Sequence, residues 1–170
     1  MANSKLGRPT KERMALIRNQ VSSLLWNGYL ETTLVKAKSI KATAEKQLTL
    51  AINTYKDVVK VTKTKMENGK QISVEVLNDG PKKLAARRKL MGFVYDLQEQ
   101  RQPKEAKAAF VARTEDIAHP LIEKIFNVYA PRYAERAERL GQGGGYIRLV
   151  KLGARKGDDA EMARLELIEE

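Results

Sequence analysis

A chain of 170 residues can bury a hydrophobic core, and this one carries 32 Lys+Arg against 21 Asp+Glu, a formal charge of +11. Cysteine is absent, which excludes disulfides and thiolate-held zinc. No apolar run reaches the roughly 20 residues of a membrane span, and Met1 to Lys5 lacks the apolar segment of a signal peptide, so cytoplasmic residence is expected. The charge is uneven: residues 1–157 carry +16 and the last 13 carry −5. Such an excess repels itself unless a polyanion is bound, so RNA, DNA or an anionic surface is the expected partner.

Residues 1–9 hold two basic side chains, Lys5 and Arg8, and little that packs. They read as a basic arm that orders on a partner, or as a plain disordered tail; residues 10–170 read as one domain. Met14, Ile17, Val21, Leu24 and Leu25 follow helical spacing, with Lys11, Arg18 and Ser22 placed opposite. Thr10 is the expected N-cap and Asn27-Gly28 the stop. Tyr29 to Thr33 is rich in aromatic and β-branched residues and predicts a strand. A second helix follows, with Ala37, Ile40, Ala44, Leu48 and Ile52 on its apolar side.

Val58–Thr64 and Gln71–Val76 alternate apolar and polar residues around Asn68-Gly69, the signature of a hairpin. Its lysines suit pairing with Glu75, protection of the sheet edges, or contact with a polyanion. Pro81 opens a third helix, whose expected buried side is Ala86, Leu90, Val94 and Leu97. After Pro103, Lys104 to Arg113 predicts a shorter helix through Ala106, Ala109 and Phe110. His119-Pro120 begins the next, with Ile122, Ile125, Phe126 and Tyr129 as a core stripe that Pro131 is expected to break. Tyr146–Leu152 and Met162–Ile168 read as an antiparallel pair. With the strand at Tyr29 they predict a small three-stranded sheet covered by helices: an α+β fold of two layers, with an inserted β-hairpin.

Catalytic chemistry finds little support. The single histidine, His119, precedes a proline at a helix start, where a cap or surface role suffices. Glu115, Asp116 and Glu123 flank the same start, where acids favour the helix dipole without a metal. Gly141-Gln142-Gly143-Gly144-Gly145 lacks the strand before, helix after and Lys-Ser/Thr of a phosphate loop. Its glycines, with Gly145 beside Tyr146, permit close approach to a folded RNA backbone or serve as a flexible connector. No catalytic residue, metal, cofactor or small-molecule substrate is expected.

Basic residues recur instead on every element: Arg8, Lys11, Arg13 and Arg18; Lys36, Lys38 and Lys41; Arg87 and Arg88; Arg132 and Arg136; Arg148, Lys151, Arg155 and Lys156. Spread over several elements, they suit irregular RNA read by shape and phosphate, with Tyr146 available to stack. A DNA-associated or nucleoid protein is the alternative.

The order of Arg13…Arg18-Asn19…Ser23-Leu24…Glu31-Thr32-Thr33-Leu34…Lys36-Ala37-Lys38 resembles the opening of protein seventeen of the bacterial large ribosomal subunit. Its closing half resembles Lys124-Ile125-Phe126-Asn127…Pro131-Arg132-Tyr133-Ala134…Arg136, Gly144-Gly145-Tyr146-Ile147-Arg148…Lys151 and Arg155-Lys156-Gly157-Asp158. The resemblance implies a non-catalytic structural protein on large-subunit rRNA, near the polypeptide exit and beside other ribosomal proteins. Two segments, about 53–80 and 98–117, have no counterpart in the short members of that family and read as insertions.

Overall fold

A computed structural model describes residues 4–67, 70–115 and 117–168; the expected Asn68-Gly69 turn and Asp116 lie outside these. Helix α1 (Thr10–Asn27) leads into β1 (Tyr29–Thr33) and α2 (Leu34–Ile52). Thr10 is the first helical residue, not the cap: Pro9 holds that position without a side-chain cap bond, and Thr10 Oγ1 accepts from Arg13 Nη2 at 3.4 Å. Gly28 ends α1 as expected, its φ of 84° allowing its N–H to reach the Leu24 carbonyl. Ser22 departs from its expected solvent face and is buried. Its hydroxyl donates to the Arg18 carbonyl and accepts the Tyr95 N–H at 2.9 Å, so burial leaves no unmet polar group. In α2 the buried side runs through Leu34, Ala37, Ile40, Ala44, Leu48 and Ala51, with Ile52 half-buried at its edge.

The sheet has the order β1-β5-β4, all antiparallel, from β4 (Ile147–Ala154) and β5 (Glu161–Leu167). Ala163, Leu165 and Leu167 alternate inward along β5, joined by Thr32 and Ile147 from its neighbours. Helices α1 and α2 cover that inner face. One hydrophobic cluster links the sheet to α1, α2 and the later helices.

Strands β2 (Val58–Glu67) and β3 (Lys70–Asp79) form a separate two-stranded ribbon. Glu75 stands opposite Thr62, not opposite a lysine. The ribbon's root is tied to the body. Helix α3 (Pro81–Phe93) has Gly80 at its N-cap, which offers no side chain. Asp57, the residue before β2, supplies the cap instead: its carboxylate accepts the N–H groups of Lys82 at 2.7 Å and Lys83 at 3.3 Å. A Cβ at residue 80 would lie 2.5 Å from that carboxylate, so the cap requires glycine there. Asp57→Ala is therefore expected to cost about 1 kcal/mol in urea unfolding; an unchanged midpoint and slope would mean that the cap contributes nothing.

Helix α3 stops at Phe93 and does not reach Leu97. The Tyr95 N–H, which a longer helix would use internally, is drawn to Ser22 Oγ. Helix α4 (Lys107–Thr114) starts later than expected and buries none of its residues; Phe110 is half-buried, with the Arg113 guanidinium 5.6 Å from its ring centroid. Pro131 does not break the last helical stretch. Helix α5 (Pro120–Lys124) passes through a π-helical turn (Ile125–Tyr129) into α6 (Ala130–Leu140). A proline inside an α-helix collides with the carbonyl four residues back, and the wider π turn just before Pro131 relieves this while the chain stays helical. Ile122, Ile125, Phe126 and Tyr129 are buried, as their spacing predicts.

Candidate nucleic-acid interface

The expected basic residues divide by what their charges already meet. Arg87 faces inward: it donates to Asp79 Oδ2 at 2.5 Å and to Glu123 Oε1, with its guanidinium 5.2 Å from the Phe126 ring centroid. Lys83 meets Asp79 Oδ1 at 2.9 Å. Burial pushes the Asp79 carboxyl up, but hydrogen bonds from Lys83 and Arg87 outweigh it and hold the group below its ordinary range. Burial likewise works against the Arg87 charge, and the bonds to Asp79 and Glu123 reverse the balance, raising its pKa. Arg87, expected to bind RNA, locks α3 to β3 and α5 in the free chain.

Arg155 is also matched. It donates to both oxygens of Asp158, at 2.8 and 2.5 Å, within the turn after β4. Hydrogen bonding by Arg155, then by the Ala160 N–H, lowers the Asp158 pKa to about 2. A carboxyl whose folded pKa lies below its unfolded value stabilises the fold above the unfolded pKa, a contribution lost as pH falls through the folded one. The Asp158 side-chain carbon signal is therefore expected to titrate near pH 2, and Arg155→Gln should move the midpoint back toward 3.8; an ordinary midpoint in the parent would contradict the pair.

Three further residues serve the fold. Tyr146, expected to stack on RNA, is buried, its ring 4.9 Å from that of Tyr133; a base could reach it only by opening the core. Arg136 Nη1 donates to the carbonyls of Gly144 at 3.2 Å and Gly145 at 3.4 Å, fastening the glycine segment to α6. Arg18 lies 5.6 Å from the Phe93 ring centroid, and its Nε is buried. Gly145 is exposed with φ 62°, a conformation glycine adopts without strain.

The others stay open. Lys11, Lys38, Arg88, Arg148, Lys151 and Lys156 are exposed, and Arg13, Lys36, Lys41 and Arg132 are half-buried. None of these has a carboxylate within salt-bridge distance among the described residues. Arg8 has only the long i,i+4 contact to Glu12, at 4.0 Å. Residues 10–20 of α1 include no buried side chain, so Lys11 and Arg13 stand on a helical end that contributes little to the core. On β4, Arg148 alternates outward from buried Ile147, and Lys151 precedes a register shift toward Gly153. Arginines here suit bidentate phosphate contacts and lysines mobile point charges.

The outer sheet face differs. Arg164 meets Glu166 at 2.9 Å and Glu31 at 3.8 Å and lies 4.6 Å from the Tyr29 ring centroid; exposed Tyr29, Val150 and Leu152 add apolar area. Mixed charge and apolar surface suit a protein neighbour better than phosphate. Sequence reading also missed Lys124, whose Nζ donates to the Trp26 carbonyl at 2.6 Å and lies over the Trp26 and Tyr129 rings. Burial, then the Arg132 charge, lowers its pKa. A lysine four residues after His119-Pro120 gives no hint of this, because Trp26 is distant in sequence.

Comparison with known proteins shows what the chain is similar to. The family model described as ribosomal protein L17 matches residues 16–168. Among relatives, "Large ribosomal subunit protein bL17" of Lachnospira eligens is 36% identical over 184 aligned positions, covering 96% of this chain and 97% of the relative. Its namesake from Acetivibrio thermocellus is 34% identical, covering 98% and 99%; that from Clostridium tetani is 35% identical, covering 96% of each. Both segments read as insertions lie inside the span of the family model.

Proposed function

The chain belongs to the ribosomal protein L17 family, and from that membership we propose that it holds large-subunit rRNA through the exposed cations of α1, α2, α3 and β4. It is a structural, non-catalytic ribosomal protein. The observation that carries the RNA reading is the division of charge: Asp79, Glu123 and Asp158 are tied to Lys83, Arg87 and Arg155, while Lys11, Lys38, Arg88, Arg148, Lys151 and Lys156 have no such partners among the described residues. Cations left open on several elements suit an irregular polyanion read by phosphate and shape.

The proposal extends to residues 1–9 as a basic arm ordered by RNA, to residues 10–170 as one binding domain, and to a position in the cytoplasmic ribosome near the polypeptide exit. It also assigns the apolar patch of Tyr29, Val150 and Leu152 to a neighbouring ribosomal protein, with Arg148 left to phosphate at the end of the same face. The test is competition: large-subunit rRNA fragments should displace the chain from duplex DNA of equal phosphate content. Retention on the DNA would favour a nucleoid protein.

A further inference from the structure

Helices α2 and α3 pack side by side and leave between them a groove of about 680 Å³, lined by Lys46, Gln47, Leu50, Asn53, Lys89 and Phe93. This volume lies within the roughly 300–1,000 Å³ of small-ligand sites. Its floor is apolar: Leu50 and Phe93 are half-buried against the core cluster. The Arg18 guanidinium of α1 lies 5.6 Å from the Phe93 ring centroid and helps to hold that ring. Lys46 and Lys89 are exposed, without a carboxylate partner among the described residues. Gln47 and Asn53 bring amide donors and acceptors beside the aromatic floor.

No carboxylate lines this groove. A second hollow, of about 570 Å³ beside Trp26, has Glu99 and Glu123 as well as Arg113 and Lys124 in its wall, so its cations are offset by acids, as Arg113 is by Glu99. Charge therefore assigns an anionic ligand to the first. Its floor calls for a flat apolar face, its amides for a polar edge, and its two lysines for negative charge on both sides.

Those three properties together describe an unpaired nucleotide, and we infer that the groove receives one single-stranded rRNA nucleotide. The base lies against Phe93, its edge meets Gln47 and Asn53, and Lys46 and Lys89 hold the flanking phosphates. RNA-binding proteins commonly recognise splayed bases by aromatic stacking. This site rests on the rRNA reading above, but it is separate from the open cations of α1 and β4 and adds a preference for single strands that phosphate contacts alone do not give.

The test uses the full chain with two labelled probes, a roughly 12-nucleotide oligoadenylate and an RNA duplex of equal phosphate content, read by fluorescence anisotropy. Phe93→Leu keeps apolar bulk in the floor and should weaken oligoadenylate binding roughly tenfold, with the salt slope unchanged and duplex binding within about twofold. The double variant Lys46→Gln/Lys89→Gln, at exposed sites, should instead flatten the oligoadenylate salt slope by about 1.4. Should Phe93→Leu melt below the assay temperature, the lysine variant decides alone. Oligoadenylate binding by both variants that matches the parent in affinity and slope overturns the groove assignment, as does equal weakening of both probes by Phe93→Leu. A parent chain that binds the duplex but not oligoadenylate also overturns only the groove. A parent that binds neither probe overturns the rRNA reading itself.

Discussion

Tyr146→Ala is expected to cost the fold about 3–5 kcal/mol, the usual consequence of removing a buried aromatic ring. The ring is 4% exposed and packs 4.9 Å from Tyr133, whose own neighbour Tyr129 donates from its hydroxyl to the Leu25 carbonyl. Emptying the Tyr146 site therefore loosens the joint between the start of β4, α6 and α1. Tyr146→Phe keeps the ring and should bind rRNA like the parent. Were Tyr146 instead stacked on RNA, the alanine variant would melt normally and lose affinity. Urea unfolding of the alanine variant, together with rRNA binding by the phenylalanine variant, separates the two roles.

The second large effect is expected on binding and not on folding. Lys11, Lys38, Arg148 and Lys151 are exposed and lack carboxylate partners among the described residues, so their replacement by glutamine should change stability by no more than about 0.5 kcal/mol each. If all four hold phosphates, the slope of log affinity against log salt should flatten by about three to four. Arg87→Gln provides the contrast. It leaves Asp79 with Lys83 alone and takes from Glu123 its guanidinium partner, both being half-buried carboxylates that Arg87 now neutralises. A loss of about 2–3 kcal/mol is expected, less than a fully buried pair would cost, with little change in salt slope. Should Arg87→Gln flatten the slope and the quadruple variant leave it alone, inner and outer cations have been exchanged.

The frame was legible because periodicity and turn chemistry act locally. Val21, Leu24, Ile40, Ala44, Leu48 and Ile125 are core where their spacing placed them, and Gly28 ends α1 where Asn27-Gly28 predicted. The misreadings at Ser22 and Leu97 share a cause: both depend on one bond between residues remote in sequence. Ser22 reads from its helical position as lying opposite the apolar stripe, yet Tyr95 supplies the partner that lets it be buried. The same bond ends α3 before Leu97. Pro131 reads locally as a breaker, and only the π turn before it makes the helix continuous. For the site, composition marked basic residues but could not say which were already matched. Arg87 and Arg88 are adjacent, yet one faces Asp79 and Glu123 while the other faces solvent. Lys46 and Lys89 gave no signal until two helices brought them to opposite sides of Phe93's groove.

Competition for a place in the ribosome tests the central claim most directly. Tagged parent and the quadruple glutamine variant are expressed beside the untagged chain, and lysates are separated on sucrose gradients under dissociating magnesium. The parent is expected to sediment with the large subunit, and the variant to shift toward the top of the gradient while melting like the parent after purification. A variant that follows the large subunit as fully as the parent would show these four cations to be a solvated surface. A parent that stays at the top of the gradient would contradict its assignment to the large subunit altogether.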